Sequence, residues 1–452
     1  MRIAAKSDRI GAESGMSTLL GFLKHKLVEN MAAMYGVQFS RKLLPLASVP
    51  YLARTLGPAG WGTVAFVGAL GELIVLLIEF GFNLSATREI ARHRNSRDAC
   101  GGVMAGVLGA QMCLAMAGVA LALLAARWIP LLRDNPRLLL AGLFYALAQG
   151  FLPLWFFQGL ERMRVAAALE ISGKIVALAG LFMFVHAPAD GWKVLALQGL
   201  APALSSVAGI WLAYRAIPFR APSLKLVREA LRTGWPMFLF RGGESLYGAG
   251  NAFILGLFAP PVVVGYFSSA EKIGKAAFGL LNPIREALYP RLSHLAIHNP
   301  ARGAALARMG AAVMGLGGLL AGGVLYLTAP VLIRILMGQA FDPAVQVLRI
   351  LSVLPFLLSF TYSIGLQWLW PLGRDGVVNR IILMAGALNV GLAFLLVRRF
   401  MHLGMAWSVV ASETFVCVCM VTVVIRSTAF FDSPRVSRAP LSPLEIEELA
   451  AN

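Results

Sequence analysis

The most restrictive feature of this sequence is a pair of basic residues inside an apolar segment long enough to cross a bilayer. The segment spans residues 30–52, NMAAMYGVQFSRKLLPLASVPYL, and Arg41 and Lys42 lie at its middle. About 20 apolar residues span the hydrocarbon layer. A charge at that depth costs at least ~2.5–3.5 kcal/mol, so it should face protein or a water-filled cavity. We therefore predict that this helix forms one wall of a polar, cation-lined cavity in a membrane protein.

Composition supports a membrane protein and argues against a soluble enzyme. The chain has 452 residues, of which 58% are hydrophobic and only 14% are charged, whereas soluble domains carry about 25% charged residues. Hydrophobic runs recur along the whole chain, which indicates a polytopic helical protein. The net charge of +18 is explained by loops and a few buried bases. No free basic stripe with interleaved aromatic residues supports nucleic-acid binding.

We predict an all-α fold of about twelve transmembrane helices. The predicted spans are 31–52, 61–82, 101–126, 138–158, 166–187, 194–214, 234–258, 264–286, 304–327, 344–366, 380–397 and 403–425. They divide the chain into an N-terminal extension (1–29), an N-lobe (30–214), an inter-lobe linker (215–233), a C-lobe (234–425) and a tail (426–452).

Lysine and arginine counts predict the orientation of these spans. With the N-terminus inside, the inner segments hold 24 of the 40 basic residues and the outer segments hold 8. Cytoplasmic loops carry the excess of Lys and Arg in membrane proteins. Both termini, the extension and the linker are therefore predicted to be cytoplasmic.

A short internal repeat relates the two predicted lobes. Pro58-Ala-Gly-Trp-Gly62 opens the second span and Pro261-Val-Val-Val-Gly265 opens the eighth, a shift of 203 residues. Six spans per lobe make this a parallel repeat, whose pseudo-twofold axis lies along the membrane normal. A cavity between two such bundles is the natural site of transport.

Charged residues inside the spans are the candidate functional groups. The bases are Arg41, Lys42, Lys174, Arg241, Lys272, Lys275, Arg285 and Arg349, and the acids are Glu72, Glu79, Glu170, Glu244, Glu271, Glu286 and Glu413. Helical spacing predicts local pairs for Glu170 with Lys174, Arg241 with Glu244, and Glu271 with Lys275, and places Glu72 and Glu79 on one face. Such pairing lowers the cost of insertion and needs no ligand.

Arg41 and Lys42 have no acidic residue within a turn, so they need a partner from another helix or a ligand. With Arg241, Lys272 and Lys275 they could hold an anion that is too hydrophilic to cross lipid. Arginine suits phosphate through its planar fork and lysine acts as a point charge, so a pyrophosphate head is the favoured ligand. Glu72, Glu79 and Glu244 would balance this charge and bond sugar hydroxyls.

Glu413 lies in the middle of the twelfth span beside Ser412. Carboxylate and hydroxyl oxygens suit a proton or Na⁺, although a hydrogen bond to a neighbouring helix is an alternative role. The sequence contains no Walker loop, no nucleophile elbow and no metal-ligand motif, so we expect no cofactor, no resident metal and no catalytic residue.

Several runs then show a family resemblance. They are LPLASVPYLARTLGPAGWGTVAF, EFGFNLSATREIARHR, LPLWFFQGLERMR, SSAEKIGKAAFGLLNPIREALYPRLS and LRILSVLPFLLSF with IGLQWLWPLGR. Together they resemble the polysaccharide-transporter family, the Wzx-type O-antigen flippases of the multidrug/oligosaccharidyl-lipid/polysaccharide exporter superfamily. The resemblance covers most of residues 30–425. This chain departs from many relatives in having Arg41 and Lys42 where they show small or polar residues.

The resemblance implies two six-helix lobes in a V shape, located in the bacterial inner membrane. It implies that undecaprenyl-pyrophosphate-linked oligosaccharide, the repeat unit of an O-antigen or exopolysaccharide, is flipped from the cytoplasmic to the periplasmic leaflet. It also implies alternating access driven by H⁺ or Na⁺, with membrane lipid and glycan assembly enzymes as partners.

Two alternatives stay open at this point. A multidrug/cation antiporter of the same superfamily would need an acid-dominated cavity, whereas the spans hold eight basic and seven acidic residues. A membrane glycosyltransferase or ligase is disfavoured because the predicted outer loops are short.

Overall fold

The computed structural model describes residues 48–248, 250–281, 300–369 and 374–431, together with Leu288, Leu292 and Leu295. Within these ranges the chain is helical and has no β-strand. Eight helices among the described residues are long and apolar enough to cross a membrane. The predicted all-α, multi-pass membrane fold is therefore confirmed.

The described residues form a succession of helices. They are α1 (48–79), α2 (Phe82–Arg92), α3 (Arg97–Ala125), α4 (Pro130–Arg133), α5 (Pro136–Gly150), α6 (Leu154–Gly159), α7 (Met163–Phe184), α8 (Gly191–Ala216), α9 (Leu224–Gly248), α10 (Gly250–Phe258), α11 (Pro261–Gly279), α12 (Pro300–Leu336), α13 (Ala344–Leu351), α14 (Leu354–Ile364) and α15 (Asp375–Phe431). Short 3₁₀ turns cover Pro188–Asp190 and Gln339–Phe341, and a π-helical turn covers Gly365–Leu369.

Proline and glycine explain most of the helix boundaries. Pro130, Pro136 and Pro261 occupy first-turn positions, where the missing N–H costs no hydrogen bond. Gly57 has a φ of 67°. It lies between residues 48–52, the described part of the first predicted span, and the second predicted span, 61–82. Gly81 has a φ of 75° and sets the turn between α1 and α2. Only glycine adopts this left-handed conformation at little cost.

Two predicted spans are each divided into two helices, and the last two are joined. The predicted span 138–158 is interrupted before α6, where Pro153 cannot donate to the ladder. The span 344–366 is likewise divided, into α13 and α14. α15 covers both of the last two spans, and its non-helical residue Met401 (φ 48°, ψ −123°) marks the bend between them.

The loops meet at two opposite ends of the bundle. Arg94 pairs with Glu161 at 3.0 Å, and the Arg97 Nε donates to the Ala216 carbonyl at 2.6 Å. The three loops predicted to be inner, 83–100, 159–165 and 215–233, therefore share one end, which we call the arginine-rich end. At the opposite end, segments 134–138 and 188–192 line a second cavity of about 350 Å³ beside Gly60.

The linker after α8 packs closely against α3. A Cβ on Gly106 would lie 2.8 Å from the Leu226 carbonyl oxygen, and one on Gly109 would lie 2.7 Å from a Val227 methyl group. Because glycine removes the side chain at these contacts, the first turns of α9 lie directly on α3. The helix accordingly begins at Leu224, before the predicted start of the seventh span at residue 234.

The two copies of the internal repeat contact each other at the opposite end. A Cβ on Gly62 would lie 1.7 Å from the Pro261 carbonyl oxygen, and one on Gly265 would lie 2.2 Å from the Pro58 carbonyl oxygen. The contact is reciprocal, because the glycine that ends each motif packs against the carbonyl oxygen of the proline that begins the other motif. Such reciprocity is the pattern expected at a twofold axis.

A second contact joins the halves at the arginine-rich end. A Cβ on Gly81 would lie 2.6 Å from the Met237 side chain, and one on Gly234 would lie 2.8 Å from the Phe80 carbonyl oxygen. The rings of Phe80 and Phe238 stack with centroids 4.5 Å apart. In the described part of the chain, α1 and its following turn thus contact the second half at both ends.

Candidate functional site

A polar cavity of about 810 Å³ lies inside the apolar bundle. Its walls come from α1, α2, α5, α6, α7 and α8, and Arg241 of α9 completes its lining. Ligand sites in proteins occupy about 300–1,000 Å³. Polar residues inside a membrane bundle mark substrate pathways, so this cavity is the candidate functional site.

One wall carries the two predicted acidic residues of α1. Glu72 and Glu79 both line the cavity, as expected for residues seven apart on one helical face. The Tyr145 hydroxyl of α5 donates to the Glu72 carboxylate. This bond fixes the carboxylate toward the cavity and leaves its second oxygen free to accept another donor.

Arg241 bridges the two halves of the molecule at the cavity. Its Nη1 lies 3.2 Å from Oε2 of Glu79, and the Glu79 side chain is only 15% exposed. The sequence paired Arg241 with Glu244 of the same helix, but the structure gives Arg241 a partner on α1. The Glu244 side chain lies outside the described part of the structure.

The predicted local pair on α7 is confirmed and lies in the cavity wall. Lys174 Nζ donates to Glu170 Oε1 at 2.8 Å, and both residues line the cavity. The Glu170 side chain is 10% exposed and the Lys174 side chain 33% exposed. Pairing therefore lowers the cost of insertion and also places a cation where a ligand can reach it.

Three glutamine carboxamides from different helices face the same space. Gln149, Gln158 and Gln198 line the cavity, and their side chains have no hydrogen-bond partner among the described residues. A carboxamide offers two donors and one acceptor oxygen. These groups suit the hydroxyl groups of a sugar, which also donate and accept.

Two predicted bases come from α11 in the second half. Lys275 Nζ lies 3.0 Å from Oε1 of Glu271, so this predicted i,i+4 pair is also confirmed. Lys272 lies over the Trp61 ring of α1, with Nζ 4.9 Å from the centroid. Neither lysine lines the cavity. Through its contact with Trp61, however, Lys272 connects α11 to α1, the helix that carries Glu72 and Glu79.

Glu413 and Ser412 lie away from this cavity. Both are buried in α15, with 4% and 1% of their surface exposed. The Ser412 hydroxyl donates to the Ser408 carbonyl within the helix at 2.8 Å. The structure thus places a buried carboxylate in the second half, as the sequence indicated, and this carboxylate is not part of the 810 Å³ cavity lining.

Arg41 and Lys42 lie outside the described residues. The described start of α1 contributes Ser48 to the cavity lining. The predicted role of the two bases stays a prediction.

Sequence reasoning missed most of the neutral part of the site. Tyr145, Gln149, Gln158 and Gln198 were not identified, and Glu170 with Lys174 was assigned to local pairing alone. The available signal was a glutamine or tyrosine within an otherwise apolar span, because an uncharged polar group at that depth needs a partner.

The arrangement can bind a ligand that carries both negative charge and hydroxyl groups. Arg241 and Lys174 supply positive charge, while carboxylates, carboxamides and a phenol supply hydrogen bonds. No group of three or more metal-ligating residues occurs among the described residues.

The fold is shared with solved membrane transporters. The lipid II flippase MurJ, in an inward closed conformation, matches over 88% of this chain and 87% of its own, with a TM-score of 0.70 and 12% identity. An inward-facing multidrug resistance MATE transporter of the MOP superfamily matches over 87% of this chain and 99% of its own, with a TM-score of 0.59 and 15% identity. The class that the fold defines is therefore the helical architecture shared with these two structures.

Sequence comparison then gives the family. The model of the polysaccharide biosynthesis protein family matches residues 27–296. A protein of Escherichia coli strain K12 named "Putative O-antigen transporter" is 32% identical over 412 residues, covering 88% of this chain and 95% of its own. A Shigella dysenteriae protein of the same name is 26% identical, covering 88% of this chain and 99% of its own. This chain belongs to the polysaccharide biosynthesis protein family, which confirms the predicted resemblance and identifies a transporter rather than an enzyme.

Proposed function

We propose that this protein is a flippase that moves lipid-linked oligosaccharide across the membrane. The observation that carries the proposal is the 810 Å³ cavity, in which cationic and sugar-binding groups meet inside an apolar bundle. The names of its relatives and the MurJ fold support the same class of cargo. The lipid tail would stay in the bilayer while the polar head crosses through the cavity.

The specific cargo we propose is undecaprenyl-pyrophosphate-linked oligosaccharide. Arg241 and Lys174 lie in the cavity wall, and Lys272 and Lys275 lie on the helix that connects to it. Arginine binds phosphate through two parallel N–H donors. We propose that Arg241, Lys272, Lys275, Arg41 and Lys42 bind the pyrophosphate.

The acidic and amide groups are proposed to bind the sugars. Glu72 is held by Tyr145 and faces the cavity. Glu79 and Glu244 would balance the positive charge, and the three glutamines would bond hydroxyl groups. This division assigns the charged head and the neutral sugars to different parts of one cavity.

We further propose that transport is driven by an H⁺ or Na⁺ gradient and that Glu413 with Ser412 contributes to coupling. Support comes from the burial of this carboxylate inside α15. The proposed location is the bacterial inner membrane, with both termini cytoplasmic, so that the arginine-rich end faces the cytoplasm. Flipping would then deliver the repeat unit to glycan assembly enzymes outside.

The test is complementation of a deletion strain. Deletion should cause cytoplasm-facing lipid-linked sugar to accumulate, and the wild-type gene should restore surface glycan. The double variant R41A/K42A and the single variant R241Q should fail to restore it at normal membrane abundance. The control R228A removes an exposed arginine outside the cavity and should behave as wild type. Normal surface glycan in both the R41A/K42A and the R241Q protein would contradict the assignment of these bases.

A second candidate is a cation antiporter of the same superfamily. The observation in its favour is that three carboxylates and two bases line the cavity. Two of these carboxylates are already paired, Glu79 with Arg241 and Glu170 with Lys174. Increased resistance to cationic drugs in a pump-deleted host, with no effect on surface glycan, would favour the antiporter.

A further inference from the structure

The cavity opposite the arginine-rich end, which we call the small cavity, has the features of a second binding site. It has a volume of about 350 Å³ and is lined by α1, the start of α5 and the turn that leads into α8. Ligand pockets in proteins occupy about 300–1,000 Å³, so this one suits a single small ring. Its polar and aromatic lining residues are Thr63, Asp134, Asn135, Arg137 and Trp192.

The small cavity lies in line with the 810 Å³ cavity, because α1, α5 and α8 line both. Along α5, Tyr145 of the larger lining follows Leu138 of the smaller by seven residues, which is about 10 Å at the helical rise. Between them a Cβ on Gly142 would lie 2.6 Å from a Val67 methyl group and 3.5 Å from a Leu195 methyl group. Both of these side chains are buried, so an apolar layer separates the two cavities.

Trp192 gives the small cavity an aromatic surface. It is 38% exposed and makes no ring contact or hydrogen bond with another described residue. The face of an indole ring is electronegative, and the C–H groups on one face of a sugar ring have the opposite polarity. A sugar ring can therefore stack on Trp192 without displacing a contact within the protein.

The polar groups around the indole match the hydroxyl groups of a sugar. Arg137 is exposed and has no hydrogen bond or ion pair with another described residue, so its N–H donors are available. Asp134 accepts from Arg133 Nε through Oδ1 at 3.3 Å, which leaves Oδ2 as an acceptor. The Thr63 hydroxyl donates to the Ala59 carbonyl at 2.9 Å and can still accept a bond.

The charge of the lining favours a neutral ligand. Among the described residues that line the small cavity, Asp134 and Arg137 are the charged ones, and their charges are opposite. A phosphate would meet the carboxylate, and a cation would meet the guanidinium. Sugar hydroxyl groups both donate and accept hydrogen bonds, so they are compatible with both side chains.

Hydrogen bonds hold the two turns that form the small cavity. Asn135 Nδ2 donates to the Leu131 carbonyl at 3.0 Å in the turn before α5. In the turn before α8, Asp190 Oδ2 accepts from the Ala187 backbone N–H at 3.2 Å, and Asp190 Oδ1 lies 2.6 Å from Lys193 Nζ. A site that is already ordered loses less entropy when it binds a ligand.

Tryptophan is also enriched at membrane–water interfaces as an anchor, and Trp128 fits that simpler role. It is 71% exposed and lines neither of the two cavities. Trp192 is less exposed and shares a concave space with Arg137 and Asp134. Convergent polar groups beside an aromatic side chain in a concave space are typical of a binding site.

We propose that the small cavity binds one sugar ring of the cargo oligosaccharide at the end of the protein where the cargo leaves. This inference rests on the proposed function, which supplies the oligosaccharide and the direction of transport. Trp192 stacks on the ring, while Arg137 and Asp134 bond its hydroxyl groups. The glycan reaches this position only after it has passed the apolar layer at Gly142.

Protection of an engineered cysteine tests the site locally. Ala189 lines the small cavity and is exposed, whereas Ala187 in the same turn is also exposed but does not line it. A189C and A187C are made in the full chain without its four native cysteines, and each protein is purified in a detergent that has no sugar head group. Labelling by a maleimide is then followed at increasing concentrations of the probe.

The probe is the repeat-unit oligosaccharide released by mild acid from the surface glycan of the cells that carry the gene. It should slow labelling of A189C about threefold at a concentration of about twice its Kd. Labelling of A187C should not change. Maltotriose at the same concentrations should protect neither cysteine.

Two variants test the proposed contacts in the A189C protein. W192A should raise the Kd at least about fivefold, because the stacking surface is lost. R137Q should raise it about threefold, because hydrogen bonds to the sugar are lost. The matched control W128A removes an exposed tryptophan at the same end and should leave the Kd unchanged.

Three results would each overturn the proposal: no protection of A189C, equal protection of A187C, or a Kd that neither W192A nor R137Q changes. Equal protection by maltotriose would overturn the link to the cargo. If wild type restores surface glycan in the deletion strain while A189C is not protected, the sugar site is refuted and the flippase assignment stands. If A189C is protected but wild type fails to restore surface glycan, the flippase assignment is refuted instead.

Discussion

Gly62→Ala should open the contact between the two repeat motifs. The added Cβ would lie 1.7 Å from the Pro261 carbonyl oxygen, and real Cβ contacts do not fall below 3.0 Å. The helices must therefore separate by at least about 1.3 Å. The neighbouring atom is backbone, so no side chain can rotate away to make room.

The energetic effect follows from the size of this overlap. Forcing an extra methyl group into a tight contact costs about 1–3 kcal/mol. If the cost falls only on the conformation in which the motifs touch, the equilibrium shifts about 5- to 150-fold toward a state open at this end. The matched control is Gly274→Ala on α11, where an added Cβ has no neighbour within 4 Å.

Cysteine labelling measures this shift. Val264 next to the contact is fully buried, so V264C in a background without the four native cysteines should resist a membrane-impermeant maleimide. Adding Gly62→Ala should accelerate labelling, while adding Gly274→Ala should not. Equal labelling rates and equal thermal stability in all three proteins would refute the reasoning.

Two further predictions concern groups outside the cavity. Arg334 holds Asp342 through two bonds of 3.0 Å and lowers the pKa of this carboxyl from 3.8. The stability from this pair is therefore present above pH 3.8 and is lost as pH falls through the lowered pKa. D342N should remove that part of the pH dependence of thermal unfolding. An unchanged pH profile in D342N would contradict this prediction. Gln111 is buried and donates to the Gly150 carbonyl at the end of α5 at 2.9 Å. Q111L should therefore lower the free energy of unfolding by about 1–3 kcal/mol. The control M112L, on the exposed face of the same helix, should leave the free energy of unfolding unchanged.

The fold was largely predictable because hydrophobic length is a local property. About 20 apolar residues make a span wherever they occur, and described helices overlap each predicted span from the second to the last. The internal repeat was equally visible as Pro58-to-Gly62 and Pro261-to-Gly265. Less predictable were the divisions of single spans, since a proline such as Pro153 can either bend a helix or end it.

The candidate site was predictable only where partners lie on one helix. Glu170 with Lys174 and Glu271 with Lys275 follow from i,i+4 spacing and are confirmed. The pairing of Arg241 with Glu79 joins residues more than 160 positions apart. Helical periodicity carries no information on such a contact, because it depends on how the helices pack.

The sequence by itself determined the membrane class, the approximate spans, the repeat and the family resemblance, because each depends on residues close together along the chain. Only the tertiary structure decided that the repeat motifs contact each other and that Gln149, Gln158 and Gln198 face one cavity. It also decided that Asp134 and Arg137 meet Trp192 at one small cavity. These features arise between helices, where the cost of burying polar groups is met by partners distant in sequence.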